Sequence, residues 1–325
     1  MTDPHDSDPT GVPRPPHPEH RREPLPQFHP KPGKEDPGAP ARIQTLLEAP
    51  SFRRADKDTD FLERDEVRGL RLQLDYLKPE LLMQQEQVGH TIVVFGSTRI
   101  VEPATAGQRL SSLEKRLQEH PEDRQLQRKL ALARRILDNS RYYSVAREFG
   151  RLVGESGNGP QDCRLVVMTG GGPGMMEGAS RGAFEAGAKT IGLNIDLPHE
   201  QFPNPYITPE LCFRFRYFAL RKMHFLHRAR ALVVFPGGFG TLDELFETLT
   251  LIQTRTIRPV PVVLIGRAFW KRALNFDFLR DEGVIDEEDL EIFWFAETAA
   301  EVWAGILDWY RKCEEPLFPD QRTNR

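Results

Sequence analysis

The chain has 325 residues, of which 28% are charged and 39% hydrophobic, with a formal net charge of -4. This length suits one large domain with extensions or two small ones, and the charge provides no bulk attraction to nucleic acid. No stretch approaches the roughly 20 apolar residues of a membrane span, and the N-terminus lacks the apolar region of a secretory signal. Three distant cysteines without CxxC spacing argue against a disulfide framework or zinc site. We expect a cytoplasmic protein that binds neither membranes nor nucleic acids.

Residues 1–45 differ in composition from the rest of the chain, because 13 of the 27 prolines lie before residue 51. Such a proline-rich segment with few apolar residues is typical of a disordered or polyproline-like tail. It also contains four histidines, namely His5, His17, His20 and His29. A metal-binding tail is one interpretation of them, but their spacing is not that of compact metal sites, which favours a solvated tail and no metal.

A helical extension is predicted over residues 46–90, with leucines at helical intervals among charged residues from 60 to about 87. The first strand, residues 91–95, follows and ends at Gly96. Residues 108–137 combine leucines at helical spacing with many Arg, Glu and Gln residues, and a turn is predicted at 120–123. We expect a charged helical hairpin, inserted at 108–140, on the outside of the core. Its arginines either bind an acidic partner or form a solvated face, and the second interpretation is favoured.

Four further apolar segments are predicted to be strands, and they alternate with amphipathic helices. They are residues 164–168, 190–194, 231–235 and 260–265. This alternation predicts an α/β fold, a doubly wound, parallel, Rossmann-like sheet with helices on both faces. We expect the domain to span 91–315, with a covering helix at 288–310 and a short tail at 316–325. In such sheets ligands bind beyond the carboxyl ends of the strands.

Glycine-rich loops follow three of the predicted strands, and we expect them to converge on one crevice. Two carry several glycines (residues 169–174 and 236–241), and the third begins at Gly96. The first does not fit Gly-x-Gly-x-x-Gly, because Met175 or Glu177 stands where the last glycine would be, and no nucleotide-hydrolase P-loop is present. The glycines either permit tight turns only or bring backbone amides to a phosphate. Three such loops favour phosphate binding, without NAD or ATP chemistry.

Two helices flank the strand at 231–235. In the upstream one, Arg221, His224 and Arg228 share one face, which taken alone is typical of a solvated surface. The opposite, apolar stripe comprises Ala219, Met223 and Leu226. The downstream helix begins after the Pro-Gly-Gly turn and carries Glu244 one turn inside. Its predicted packed face comprises Leu242, Leu245, Phe246, Leu249 and Ile252.

The run Pro236-Gly-Gly-Phe-Gly-Thr-Leu-Asp-Glu244, with Arg221-Lys222 upstream, resembles the signature of the LOG (Lonely Guy) family. Members of this family are often mislabelled lysine decarboxylases. They hydrolyse nucleoside 5′-monophosphates, including cytokinin riboside monophosphates, to free base and ribose 5-phosphate. The similarity extends over roughly residues 60–309. The segments 169–177, 198–201 and 250–254 make the chain resemble the longer bacterial members.

The resemblance implies that Arg221 and Glu244 are the catalytic pair, that no cofactor is needed, and that an upstream substrate-binding acid corresponds to Glu200. The residues implied to line the substrate pocket are Lys222, Gly238, Phe239, Gly240, Thr241, Leu242, Asp243 and Thr250. From the glycine loops we add Ser97, Gly171, Gly172, Gly174, Glu177 and Gly237 as candidate binding residues.

The chemistry of N-glycosidic hydrolysis agrees with these roles. Glu244 can stabilise positive charge on the ribose and orient or deprotonate water. Arg221 can clamp the substrate or carry negative charge on the leaving base, while the amides of residues 238–241 hold the 5′-phosphate. Two alternatives stay open: a non-catalytic nucleotide sensor, and a carrier of a phosphorylated cofactor such as the molybdenum cofactor. The base preference also stays open. The resemblance further implies a homodimer or larger homo-oligomer.

Overall fold

The computed structural model describes residues 29–197 and 202–318, and the chain divides into two compact units, Met1–Arg68 and Gly69–Arg325. The described part of the first unit contains helices α1 (Ala39–Glu48) and α2 (Thr59–Leu62), joined by short 3-10 turns. Helix α1 therefore begins inside the segment predicted as a tail. It accommodates Pro40 in its first turn, where proline removes no helical hydrogen bond.

The helix predicted from residue 60 to about 87 is interrupted. Asp58 caps the short α2 by accepting a hydrogen bond from the Phe61 amide, and the chain is extended at Arg64 before a 3-10 turn. The long helix α3 (Arg68–Gln85) starts only after that turn. Local capping thus divides a segment whose leucine spacing alone predicts one continuous helix.

Seven strands form the sheet of the second unit. They are β1 (His90–Phe95), β2 (Leu165–Thr169), β3 (Thr190–Ile195), β4 (Cys212–Phe215), β5 (Ala229–Val234), β6 (Val262–Ile265) and β7 (Trp294–Ala296). The helices that follow α3 are α4 (Pro103–Glu119), α5 (Arg124–Asn139), α6 (Arg141–Gly154), α7 (Met175–Glu185), α8 (Phe218–His227), α9 (Phe239–Gln253), α10 (Arg267–Ala273), α11 (Phe276–Asp281) and α12 (Ala299–Lys312).

All neighbouring strands are parallel, in the order β4-β3-β2-β1-β5-β6-β7. Two apolar clusters cover the two faces of the sheet, one including α6, α7 and α12 and the other including α8 and α9. The predicted fold class, a doubly wound, Rossmann-like α/β sheet, is confirmed. Because successive strands are added on opposite sides of β1, the order reverses between β1 and β5, where such sheets leave a crevice for ligands.

The predicted charged hairpin is present as α4 and α5. Asp123 ends the intervening turn and caps α5 by accepting hydrogen bonds from the amides of Gln125 and Leu126. Only small or apolar side chains of the two helices are buried, among them Ala106 and Leu130, so the charged faces lie outward.

Two edge strands and the C-terminal region differ from the predictions. Strands β4 and β7, with four and three residues, are too short for their periodicity to stand out, and the sequence predicted neither. The single helix predicted at 288–310 was wrong. It is replaced by a 3-10 turn (Glu287–Glu291), strand β7 and helix α12, which starts anew because Thr298 caps it at the Glu301 amide.

Candidate active site

A cavity of about 570 Å³ lies at the carboxyl ends of β1 and β5, where the strand order reverses. The loop after β1 and the start of α9 form much of its wall. The lining residues are Phe95, Gly96, Ser97, Thr98, Arg99, Met176, Phe218, Arg221, Gly238, Phe239, Gly240, Thr241 and Glu244. This set contains both predicted catalytic residues and most of the Pro-Gly-Gly-Phe-Gly-Thr run.

The backbone of Ser97 joins the three glycine-rich loops. Its amide donates to the Pro236 carbonyl oxygen at 2.9 Å, and its carbonyl oxygen accepts from the Met175 amide at 3.1 Å. Gly174 has a φ of +75°, and a Cβ at this position would overlap the Ser97 carbonyl oxygen. Only glycine permits both this conformation and this approach. The predicted convergence of the loops is therefore built from direct backbone hydrogen bonds.

Two further glycines of the loop after β2, Gly171 and Gly172, are hydrogen bonded to Asn204. The backbone amide of Asn204 donates to the Gly171 carbonyl oxygen at 2.8 Å, and its side-chain Nδ2 donates to the Gly172 carbonyl oxygen at 3.2 Å. Gly171, at a φ of +73°, packs closely against the Asn194 side chain. These two glycines support the crevice, whereas Met176, in the first turn of α7, lines it.

Arg221 lies in the first turn of α8 and is buried, with 9% of its surface exposed. Its Nε donates to the carbonyl oxygen of Leu193 at 2.7 Å, and its guanidinium packs over the rings of Phe218 and Phe225. Burial lowers the pKa of Arg221, and the Glu244 carboxylate opposes that change. The side chain is thus fixed at one nitrogen while its cation contributes to the cavity wall.

Glu244 lies in the second turn of α9 and is only 5% exposed. Burial raises its pKa from 4.5 to about 7, although the cations of Lys222 and Arg221 act in the opposite direction. A carboxyl group that titrates near neutral pH inside a cavity is suited to proton transfer. The guanidinium of Arg221 and the carboxyl group of Glu244 therefore line the same cavity.

Lys222 and Asp243 lie beside this pair and bind each other. The Lys222 Nζ is 2.8 Å from Asp243 Oδ2 and 2.9 Å from Glu247 Oε2. Although burial lowers the pKa of Lys222, hydrogen bonds to these two acids produce a net rise. Neither Lys222 nor Asp243 lines the cavity. Lys222 acts on Glu244 through its charge.

The other predicted binding residues occupy several environments. Ser97 lines the cavity, and its Oγ accepts a hydrogen bond from the Arg99 amide. Glu177 accepts a hydrogen bond from Tyr143 Oη at 2.8 Å, between α7 and α6 and away from the cavity. Leu242 packs against the core, and Thr250 is exposed. Glycine at 237 leaves room for the Thr241 side chain. Glu200 lies outside the described residues.

The orientation of α8 is the reverse of the one predicted from its apolar stripe. Met223 is 41% exposed, whereas Arg221 and His224 are buried. The His224 ring stacks on Tyr76 at a centroid distance of 5.3 Å and also contacts Phe215. The hydrogen bond of Arg221, the ring contacts of His224 and the complete burial of Phe225 thus direct this side of α8 inward. Phe246 on α9, predicted to pack inward, is likewise 37% exposed.

Several side chains that line the cavity are not among the residues predicted from the sequence. Arg99 adds a second cation, and Phe95, Met176 and Phe218 add apolar surface. Arg99 could have been found from the sequence, because it is a charged residue four positions after the end of a buried parallel strand. Within residues 29–197 and 202–318, no group of three or more His, Cys, Asp or Glu residues has the arrangement of a metal site. No helix in those same ranges has the length and apolar character needed to span a membrane.

Comparisons with known proteins identify one family model and several relatives of this chain. Residues 176–306 match the family described as "Possible lysine decarboxylase". The cytokinin riboside 5′-monophosphate phosphoribohydrolase LOG3 of Arabidopsis thaliana is 32% identical over 155 residues, which cover 46% of this chain and 69% of the relative. The cytokinin riboside 5′-monophosphate phosphoribohydrolase LOG of Oryza sativa subsp. japonica is 31% identical over 186 residues, which cover 56% of this chain and 72% of the relative. A solved structure, the Moco carrier protein of Chlamydomonas reinhardtii, has a TM-score of 0.42 and 18% identity, covering 69% and 99%.

Proposed function

The chain belongs to the LOG family of phosphoribohydrolases, and we propose that it hydrolyses the N-glycosidic bond of nucleoside 5′-monophosphates. The products are a free base and ribose 5-phosphate. One observation carries the proposal: Arg221 and Glu244 are buried in the same cavity, and Glu244 has a pKa of about 7. A site that only bound phosphate would gain nothing from a buried acid, because a carboxylate repels a phosphate.

We assign the 5′-phosphate to the start of α9. The first amides of a helix have no partner within the helix, and Gly238, which precedes α9, provides no side chain to cap them. These amides and the positive end of the helix dipole attract a phosphate. Arg99, which also lines the cavity, adds a full positive charge.

The reaction then follows from the remaining groups. When the bond between ribose and base breaks, its electron pair leaves with the base and the ribose becomes positively charged. The Glu244 carboxylate stabilises that charge and accepts a proton from the water whose oxygen bonds to C1′ of the ribose. This proton then passes to the departing base, so that a neutral base is released and the carboxylate is restored. Arg221 carries negative charge on the departing base. Lys222 lowers the pKa of Glu244 and so increases the ionised fraction at neutral pH.

We also propose that a second copy of the chain covers the mouth of the cavity. Phe239 at the start of α9 is 92% exposed and Phe218 on α8 is 48% exposed, and both line the cavity. The same two helices expose Met223 and Phe246 as well. Apolar groups grouped in this way are typical of an interface. We expect light scattering at micromolar concentration to give at least the mass of a dimer, and a monomer there would contradict this assignment.

The decisive experiment is incubation of the purified protein with AMP, GMP, CMP and prenylated AMP, followed by chromatography of the free base. We expect base release by the wild type and its loss in Glu244→Gln. Glu291→Gln, the same substitution at an exposed residue of a 3-10 turn, is the matched control and retains activity. Retained nucleotide binding without any base release would instead support a sensor. A co-purified ligand without turnover would support a carrier.

A further inference from the structure

Helix α3 supplies the residue that holds the start of α8. The Asp75 Oδ2 accepts hydrogen bonds from the backbone amides of Arg216 at 2.9 Å and Tyr217 at 2.8 Å. Tyr217 is the N-cap of α8, and its own side chain makes no capping hydrogen bond. Two amides that precede the helix are therefore satisfied by a carboxylate from a segment more than 140 positions earlier.

Further contacts join the same two helices along the length of α8. At its start, Arg71 Nε donates to Tyr217 Oη at 3.1 Å. In its middle, the Tyr76 ring stacks on His224. At its end, Glu80 forms an ion pair with Arg228. Together with Asp75, these contacts fix α8 against α3 through four residues of α3, and Asp75 binds the start of the helix.

A short path connects Asp75 to Arg221. The carbonyl oxygen of Tyr217 accepts a hydrogen bond from the Arg221 amide at 3.3 Å, which is the first hydrogen bond of α8. The Arg221 side chain is held at its other end by the Leu193 carbonyl oxygen. Asp75 thus fixes the backbone anchor of Arg221, and strand β3 fixes its guanidinium.

We propose that Asp75 is a positioning residue for Arg221. Its carboxylate holds the first turn of α8 in place and keeps the Arg221 guanidinium in the cavity wall with Glu244. The expected kinetic effect depends on the proposed hydrolase function, but the structural effect on α8 does not. Asp75 itself does not line the cavity, so it acts through Arg221.

The kinetic test compares AMP hydrolysis by Asp75→Ala, Asp75→Asn and the control Gln73→Ala, an exposed residue of the same helix. A displaced catalytic group costs on the order of ten- to hundredfold in rate, so we expect kcat of Asp75→Ala to fall by that amount. KM should stay within about twofold, because the proposed phosphate contacts are the start of α9 and Arg99, and none lies on α8. Asp75→Asn should recover most of kcat, since one amide oxygen can accept both hydrogen bonds as Oδ2 does.

Two further measurements isolate the mechanism. In the Arg221→Ala background, Asp75→Ala should cause no additional loss of kcat, because both changes remove the same interaction. Hydrogen exchange of the peptide covering 213–225 should accelerate in Asp75→Ala and not in Gln73→Ala, while exchange in α9 stays unchanged and reports intact folding. If the wild type releases no base, the proposed function fails and hydrogen exchange alone decides the positioning role. Unchanged exchange in α8, wild-type kcat in Asp75→Ala, or additive losses in the double variant would each overturn the inference.

Discussion

Replacing Glu244 by Gln is expected to stabilise the folded protein at alkaline pH while it abolishes turnover. The folded protein raises the pKa of Glu244 from 4.5 to about 7, so it holds the proton more tightly than the unfolded chain does. Ionised Glu244 therefore lowers the free energy of unfolding. The effect is absent below pH 4.5, grows as the pH rises to 7, and is constant above that. A neutral amide of the same shape removes it.

The magnitude follows from the two pKa values. Their difference corresponds to about 3 kcal/mol at pH 8, and the side chain is too buried for solvent to screen much of this. For a domain of this size each kcal/mol changes Tm by about 2–4 °C. We therefore expect Glu244→Gln to exceed the wild type in Tm by about 6–12 °C at pH 8 and by little at pH 4.5.

Differential scanning calorimetry of both proteins across this pH range measures the effect. The informative quantity is the difference in Tm as a function of pH, because losses that do not involve ionisation shift it equally at every pH. Glu291→Gln provides the baseline for removing an exposed carboxylate. A Tm difference for Glu244→Gln that does not change with pH would refute the assignment of a raised pKa to Glu244.

Three further outcomes follow from the same geometry. The kcat/KM of the wild type should rise with increasing pH, with a midpoint near pH 7. In Lys222→Ala that midpoint should move to higher pH, because Lys222 lowers the pKa of Glu244. A pH-rate profile in which the midpoint does not move would contradict this. Gly174→Ala should lower the free energy of unfolding, measured by urea denaturation, by at least about 2 kcal/mol, because its φ is positive and a Cβ overlaps the Ser97 carbonyl oxygen. Gly240→Ala, where a Cβ meets open space, should lower it by less. If Arg99 binds the phosphate, Arg99→Ala should raise KM for AMP on the order of tenfold in steady-state kinetics, with little change in kcat. A fall in kcat on the order of tenfold instead would argue for another role.

The central strands and the glycine loops were predictable because their signals are local. Buried parallel strands such as β1 and β5 are nearly continuous apolar runs, and the turns that follow them need glycine. The position of the cavity could be predicted from these strands and glycine turns, because ligands bind beyond the carboxyl ends of the strands in doubly wound sheets. The edge strands β4 and β7 carry no comparable signal, because short strands at an edge are defined by their pairing partner.

The direction in which side chains point was less predictable, because it depends on distant partners. Arg221 and His224 look like a solvated face in the sequence, and they are buried because Leu193, Tyr76 and Phe215 lie where they can bind or stack. Glu177 lies close in sequence to the glycine loop but is bound by Tyr143. Periodicity measures the average polarity of a face and contains no information about such pairings.

The backbone of Ser97 has a consequence for redesign. Because its amide and its carbonyl oxygen bind different loops, we expect the three loops to move together. We expect a substitution that bends one loop to displace the other two, so that reshaping a loop to fit a larger base would also disturb the phosphate contacts proposed above. To change the base preference, substitutions at Phe218 and Met176 are the better choice. These side chains line the cavity from helices, so their size can change while the three loops keep their positions.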